Sequence, residues 1–216
     1  MPLWGTNYNE NFLIKRRLLE LMSTKKEIIR KAAIEVMARE GFYHATSDKI
    51  AAEAGISTGS IYYYFENKEE ILAYIFQVEF EKRAHILKEI KKSSIHPLFK
   101  IKNMLEYHFE HVKEDDKVTK IILREKHLPF SIPGGVKKLG GIPKFVQEIL
   151  EEGKSSGQIR PCDTEVVSMA IFGIIESITG RYILEKDEGK ESNILEKALQ
   201  EITNLLWEGL LLEKNK

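Results

Sequence analysis

The chain has 216 residues, and a prior of roughly 150 residues per domain allows one or two domains. Hydrophobic residues make up 43% and charged residues 31%. This composition excludes global disorder, since a folded chain of this size buries about 70% of its unfolded surface. Thirty-three Lys and Arg balance thirty-three Asp and Glu, so any nucleic-acid site must be local.

The single cysteine, Cys162, cannot form an intrachain disulfide, which favours a reducing compartment. No apolar run reaches the roughly 18 to 20 residues that span a bilayer. The N-terminus lacks the basic-then-apolar pattern of a signal peptide. We therefore expect a soluble cytoplasmic protein with no membrane partner.

Residues 1–23 form an N-terminal extension with two open interpretations. In the first, Lys15, Arg16 and Arg17 lie on an extra basic helix that contacts DNA. In the second, the native chain starts at Met22.

The next segment predicts three helices, each beginning at a residue that can cap the first backbone N–H groups. A capping box of Thr24 and Glu27 begins the first helix, which ends at Gly41. The second and third predicted helices span 46–55 and 57–64.

Helical periodicity continues to the end of the chain. The predicted helices run from Asn67 toward Ile90, then over 97–113, 116–127, 143–153, 163–178 and 195–210. Clustered Pro and Gly residues between 129 and 143 predict the longest irregular joint. No strand pattern competes, so the predicted fold class is all-α.

The last two predicted helices carry an unusual amount of apolar surface. The helix capped by Asp163 has hardly any polar face, and such a helix is expected to be buried on nearly all sides. The final helix has an apolar stripe from Leu195 to Leu210. Because this exceeds what one protomer needs, we expect a homodimer through these two helices. Gly173 and Gly180 share a helix face and would allow a partner helix to approach closely.

Residues 46–62 have the pattern of a helix-turn-helix. Gly55 permits a left-handed backbone at the tight turn. Ile50 and Ala51 form the inner side of the first helix, and Ile61 anchors the second. A bihelical unit of this kind places its second helix in the major groove of DNA.

The chain resembles the TetR family of transcriptional regulators without a gap from Ile28 to Leu72. The matching elements include Gly41-Phe42, Ala54-Gly55-Ile56-Ser57 and Gly59-Ser60-Ile61-Tyr62. The resemblance implies a DNA-binding domain over 24–68 and a ligand-binding and dimerisation domain over 69–216. It also implies repression of an operator that a small molecule relieves.

The resemblance assigns nine residues to the DNA face, with Thr46 at an N-cap beside the phosphates. Hydroxyls, exposed amides and a Lys at a helix N-terminus are typical phosphate and groove contacts. In the competing interpretation the Tyr run is mostly core, above all Tyr64, whereas Phe65 packs inward in either case. The nine are Thr46, Ser47, Thr58, Gly59, Ser60, Tyr62, Tyr63, Tyr64 and Lys68.

The predicted DNA-binding unit is not basic. Residues 22–70 hold seven Lys and Arg against eight Asp and Glu, and Asp48 falls near the expected phosphates. The net positive charge that is usual for a DNA-binding domain is therefore absent when all residues of the unit are counted. This motivates a second hypothesis, a small-molecule or lipid carrier that keeps the helix-turn-helix as a scaffold.

Beyond Leu72 the chain is similar to the fatty-acid-degradation repressors, which respond to long-chain acyl-CoA, through residues 149–159 and 171–177. A pocket needs apolar walls and a few inward polar groups, although an ordinary bundle core is the favoured interpretation of each apolar candidate taken alone. Glu176 could instead meet the partner across a dimer seam, as could Arg181. The candidates for a small hydrophobic effector are Met104, Tyr107, His108, Leu123, Arg124, Phe145, Phe172, Glu176 and Tyr182.

No catalytic, cofactor or metal motif is readable. His108 and His111 could share a helix face, but no third ligand has a suitable spacing. Cys162 has no neighbouring base that would activate it. We therefore expect no cofactor, no metal and no enzyme activity.

Overall fold

A computed structural model of the chain describes residues 25–125 and 141–211. The N-terminal extension, with Lys15, Arg16 and Arg17, and most of the joint predicted between 129 and 143 lie outside the described residues. The helices are α1 (Lys25–Glu40), α2 (Ser47–Ala54), α3 (Thr58–Tyr64), α4 (Lys68–Lys92), α5 (Pro97–Glu114), α6 (Asp116–Glu125), α7 (Gly141–Ser155), α8 (Thr164–Asp187) and α9 (Ile194–Leu210). Within these ranges the β pairing is an isolated antiparallel bridge between Ile159 and Leu211. The all-α prediction is confirmed.

The first of two compact units extends to Phe76 and contains α1, α2, α3 and the start of α4. The predicted helix starts are confirmed at Thr46, whose side chain accepts from the Lys49 amide at 3.3 Å, and at Ser57. Gly55 ends α2 with φ +64°, a left-handed conformation that favours glycine. Its core side chains are fully buried: Ile29, Ala33, Val36, Ile50, Ala51, Ile61, Ile71, Leu72 and Ile75.

The second unit begins at Gln77 and contains the rest of α4 together with α5 to α9. Its core draws on residues from all of these helices except α6. Asp163 caps α8 as expected, because its carboxylate accepts from the Val166 amide at 3.0 Å. The compact units divide inside α4, so the functional boundary expected at 68/69 stays a prediction.

Helix α7 differs from its predicted bounds of 143–153. It begins at Gly141 and continues to Ser155, so Gly153 lies within the helix. A Cβ at Gly153 would collide with the side chain of Ile159 and lie 3.2 Å from Pro97. The glycine therefore serves close packing instead of ending the helix.

Helix α8 is not buried on nearly all sides, so that expectation is wrong for a single chain. Val166, Met169 and Leu184 are 61–62% exposed, and Gly173 is exposed as well. Apart from its chain neighbours and the nearby backbone of α8, no heavy atom of the described residues comes within 4 Å of a Cβ built at Gly173 or Gly180. This side of α8 is an open, largely apolar surface.

The apolar stripe of α9 is used within its own chain. Leu195, Ile202 and Leu206 belong to the core of the second unit, and Leu205 is the large apolar side chain of α9 that is left exposed, at 61%. The surplus apolar surface inferred from the sequence therefore lies mainly on α8.

Helix α8 also corrects the expectation about membrane-spanning runs. Among the described residues, α8 is the one helix that is long enough and apolar enough to cross a membrane, as judged by length and composition. Glu176 and Arg181 fall inside that stretch, and each such charge costs about 2.5 to 3.5 kcal/mol at a bilayer centre. Because α8 also packs on α7 and α9, we interpret it as a helix of a folded domain.

Candidate functional site

Helix α3 presents most of its surface to solvent. Ile61 is its one buried residue, whereas Tyr62 and Tyr63 are 57% and 82% exposed. Tyr64 is half-buried and meets the Tyr63 ring edge-on with centroids 4.9 Å apart. Phe65 is buried, as expected. The structure thus brings two tyrosines of the predicted DNA face to the surface and leaves Tyr64 between surface and core.

The small polar residues of the predicted DNA face surround the start of α3. The Thr58 hydroxyl donates to the Asp48 carboxylate at 2.8 Å, and the Ser60 hydroxyl lies 2.9 Å from that of Ser57. Gly59 is exposed. Thr58 is therefore hydrogen-bonded to Asp48, the carboxylate that the sequence analysis placed near the DNA phosphates.

Thr46 and Ser47 lie at the start of α2. Thr46 is exposed, and its side-chain oxygen accepts the Lys49 amide, while Ser47 is half-buried. The positive end of a helix dipole favours anions such as phosphate. Two short helices, α2 and α3, thus begin with hydroxyl side chains.

Lys68 has an internal role that the sequence interpretation missed. Its ammonium group donates to the carbonyl oxygens of Phe42 and Tyr43, each at 3.0 Å, and lies 4.5 Å from the centre of the Phe42 ring. An ammonium group has three N–H donors, so one remains for a phosphate. Tyr43 is 71% exposed beside this clamp and is a further candidate contact. The only sequence signal for Tyr43 was its position directly after Gly41-Phe42.

Several acidic residues of this unit are engaged by its basic ones. Glu40 accepts from Lys49 at 2.6 Å and pairs with Arg39 at 3.2 Å, and Arg39 lies 3.5 Å from Glu53. The hydrogen bond from Lys49 and the neighbouring Arg39 lower the pKa of Glu40 below its usual value, against a smaller opposing effect of burial. Helix α3 itself contains no charged residue. Residues 22–70 hold one more acidic than basic residue, but the candidate contact helix carries no charge.

Replacing Lys68 by Met should destabilise the first unit by about 1 to 3 kcal/mol, because two hydrogen bonds from a charged donor are lost. Thermal unfolding of the variant measures this, and Lys25→Met, at the exposed first residue of α1, is the matched control. An unchanged unfolding temperature with weakened DNA binding would instead assign Lys68 to DNA alone.

The predicted effector residues do not all meet at one place. Met104, Phe145 and Tyr182 are buried in the core of the second unit, and Leu123 and Phe172 pack against it. Glu176 is half-buried. The Arg124 side chain is 47% exposed and lies 3.6 Å from the carboxylate of Asp187. Arg124 is therefore a surface residue paired with a carboxylate.

A buried carboxylate, Glu79 on α4, was not anticipated from the sequence. Glu79 is 2% exposed and accepts from His111 at 3.0 Å and from Lys82 at 2.8 Å. Burial by itself raises its pKa, but the hydrogen bonds from His111 and Lys82 outweigh burial and lower the pKa of Glu79 to about 2. The Tyr107 ring stacks parallel on His111, with centroids 6.0 Å apart. Among the described residues, no three His, Cys, Asp or Glu side chains are grouped to hold a metal.

His108 lies deeper in the same region. Its Nε2 is 3.2 Å from the Thr179 hydroxyl on α8, and its Nδ1 is buried with no hydrogen-bond partner in the part of the chain that the structure describes. Burial, and then the charges of Arg83 and His111, lower the pKa of His108 to about 3. His108 is therefore a neutral imidazole at physiological pH.

A cavity of about 280 Å³ lies between α4 and α7 in the second unit. Of the nine predicted effector residues, Phe145 lines it. Arg83, which was not predicted, also lines it, and its buried Nε has no hydrogen-bond partner among the described residues. No sequence signal pointed to Arg83, because it lies among several Lys and Glu residues on an amphipathic helix.

Stability should fall as the pH is lowered from about 6.5 toward 3, because His108 stays neutral when folded and binds a proton when unfolded. At pH 5 the loss amounts to about 2 kcal/mol, at about 1.4 kcal/mol for each pH unit below 6.5. Urea unfolding at pH 7, 6 and 5 measures it, and a His108→Gln variant should lose less stability over this range. Equal pH dependence in both proteins would contradict the burial of a neutral imidazole.

Comparisons with known proteins agree with this architecture. The model for bacterial regulatory proteins of the tetR family matches residues 29–75, and the tetracyclin repressor-like C-terminal domain matches residues 95–182. The fatty acid metabolism regulator protein of Bacillus subtilis is 30% identical over 157 residues, which cover 71% of this chain and 80% of that protein.

Two solved structures are similar along most of the chain. The fatty acid degradation regulator FadR from Bacillus halodurans has a TM-score of 0.74 at 25% identity, covering 86% of this chain and 99% of that one. FadR from Bacillus subtilis, in complex with stearoyl-CoA, has a TM-score of 0.74 at 26% identity, covering 84% and 97%.

An exposed helix-turn-helix joined to a separate helical core defines the class of protein, a helix-turn-helix transcriptional regulator. More specifically, the chain belongs to the TetR family of bacterial regulators. Its relatives are regulators and not enzymes, in agreement with the sequence interpretation.

Proposed function

We propose that the protein is a cytoplasmic, homodimeric repressor that binds a two-fold symmetric DNA operator and releases it when a long-chain fatty acyl effector binds. The observation that carries the DNA-binding part is the exposure of α3, which keeps one side chain, Ile61, in the core and presents Tyr62 and Tyr63 to solvent. A helix attached in this way can enter a major groove without unfolding any of its packing.

The proposed DNA contacts are short-range. The hydroxyls of Tyr62 and Tyr63, the backbone at Gly59 and the remaining N–H of Lys68 supply donors to phosphates and base edges. Thr46, Ser47 and Thr58 add hydroxyls at the positive ends of α2 and α3.

The proposed dimer forms through the open surface of α8, with a smaller part from α9. Exposed residues recur along α8 at spacings of three or four: 166, 170, 173, 177, 181 and 184. This period is the one by which a helix packs along a second helix. Two-fold pairing gives each copy the same partner surface and matches a two-fold symmetric operator.

The proposed effector is supported by the relatives. The chain is 30% identical to a fatty acid metabolism regulator and 26% identical to FadR, whose structure contains stearoyl-CoA. The second unit of this chain supplies a large apolar core and a cavity beside it. Helix α4 runs from the first unit into the second and is the covalent route by which an effector could alter DNA binding.

The DNA-binding part is tested by selecting bound sequences from a random duplex library and measuring the selected duplex by fluorescence anisotropy. We expect an inverted-repeat motif, and a Tyr62→Phe, Tyr63→Phe double variant should bind it about 10- to 100-fold more weakly, because two exposed hydroxyl donors are lost. Lys92→Gln, an exposed residue in the last turn of α4, is the control.

Stearoyl-CoA added to that complex should release the duplex. Retention of the duplex at saturating stearoyl-CoA would reject the proposed effector. No selected motif at all, together with tight acyl-chain binding, would favour the lipid-carrier hypothesis, which the slight acidic excess of residues 22–70 motivates.

Replacing Met169 by Glu should disrupt the dimer, because it places a charge on the exposed apolar side of α8, one turn after Val166. Light scattering should show the mass of one 24.9 kDa chain in place of two. Ile95→Glu, at an apolar residue that is 39% exposed before α5, is the control and should leave the dimer intact. A Met169→Glu protein that stays dimeric would move the interface away from α8.

A further inference from the structure

The cavity between α4 and α7 has an apolar floor and a cationic rim. Its apolar lining consists of Phe80, Ala84, Leu87, Ile142 and Phe145. At about 280 Å³ it lies just below the usual 300 to 1,000 Å³ of small-molecule pockets. A cavity of this size holds one portion of a long acyl ligand.

Four cations line this cavity, and three of them form no salt bridge with a carboxylate among the described residues. Lys91 is paired with Glu148, also in the lining, at 2.8 Å. Lys88, Lys144 and Arg83 form no ion pair within the described part of the chain. The rim therefore has an excess of positive charge.

Arg83 is the most informative of the three. Its Nε is buried and has no hydrogen-bond partner among the described residues. Glu79, the neighbouring carboxylate on α4, already accepts from His111 and Lys82. A buried guanidinium N–H without an acceptor is costly unless an anion completes its hydrogen bonds. An arginine fork matches phosphate and carboxylate oxygens in two-point contacts.

The first turns of α7 complete the cavity wall. Gly141, Ile142, Lys144 and Phe145 line it, and a Cβ at Gly141 would lie 3.5 Å from the Phe80 ring. The positive end of this 15-residue helix is thus at the cavity, where it adds to the attraction for an anion.

From this geometry we propose that the cavity binds the phosphate-bearing head of an acyl effector, with Arg83 as its principal ligand and Lys88 and Lys144 as supporting cations. The inference rests on the proposed function, since it assigns a place to one end of the proposed effector. A single carboxylate would need Arg83 alone, whereas three unpaired cations match a head with several negative charges. The apolar floor accepts the part of the ligand next to that head.

The test is isothermal titration of the full-length protein with stearoyl-CoA, with stearate and with coenzyme A lacking the acyl chain. Arg83→Gln should weaken the binding of stearoyl-CoA and of coenzyme A by about 10- to 100-fold, the loss of affinity expected for hydrogen bonds to a charged group. A Lys88→Gln, Lys144→Gln double variant should weaken the binding of both ligands by about tenfold and make their affinities less dependent on salt concentration. Arg83→Lys should recover part of the loss.

Lys92→Gln is the matched control, because Lys92 lies on the same helix, is exposed and pairs with Glu89 away from the cavity. DNA binding without effector should remain at the wild-type level in every variant, which confirms that each protein is folded. Stearate affinity should change less than threefold.

Three results would overturn the inference. If Arg83→Gln binds stearoyl-CoA like the wild type while stearoyl-CoA still releases DNA, the cavity assignment is wrong and the proposed function stands. If stearate binding falls as much as stearoyl-CoA binding, the cavity binds a carboxylate. If the wild type binds neither stearoyl-CoA nor coenzyme A, the inference and the proposed effector fail together, even where DNA binding persists.

Discussion

The attachment of α3 through Ile61 is the contact on which the DNA-binding unit depends. A helix of seven residues has too few hydrogen bonds to be stable alone, so its position is set by packing. Ile61 is 1% exposed, Ser57 caps the helix and Gly55 turns the chain into it. Because one side chain anchors the helix, its other faces are available for contact.

The distribution of charge explains how a chain with no net charge could provide the two anion-binding surfaces proposed above. In the first unit, Glu40 and Glu53 are paired with Lys49 and Arg39, so few charges remain to attract DNA from a distance. Affinity there must come from hydroxyl and backbone donors that act at contact. In the second unit the pattern is reversed, since Arg83 lies beside a carboxylate that other residues already occupy. At both proposed surfaces, local pairing and not the total charge sets the charge that an anion would meet.

The sequence predicted features that depend on neighbouring residues along the chain. The caps at Thr46, Ser57 and Asp163, the turn at Gly55 and the all-α fold were all confirmed. Features set by contacts between distant residues were not predictable: the clamp of Lys68 on the carbonyls after α1, and the burial of the α9 stripe in its own chain. Arg83 belongs to this second group. That its Nε is buried without a hydrogen-bond partner can be seen only once α4 and α7 are packed.

Helix α8 shows why apolar content alone does not identify what covers a helix. The same stretch satisfies the length and composition of a membrane span and the spacing of a helix pair. A bilayer surrounds a helix on every side, whereas Ile171, Ile175 and Ile183 of α8 are buried in the protein core. Arg181 and Ser177 also lie on the exposed side, and they can be tolerated beside a second copy because a protein surface offers hydrogen-bond partners that lipid tails lack. An apolar surface on one side of a helix, with polar residues within it, therefore favours a protein partner.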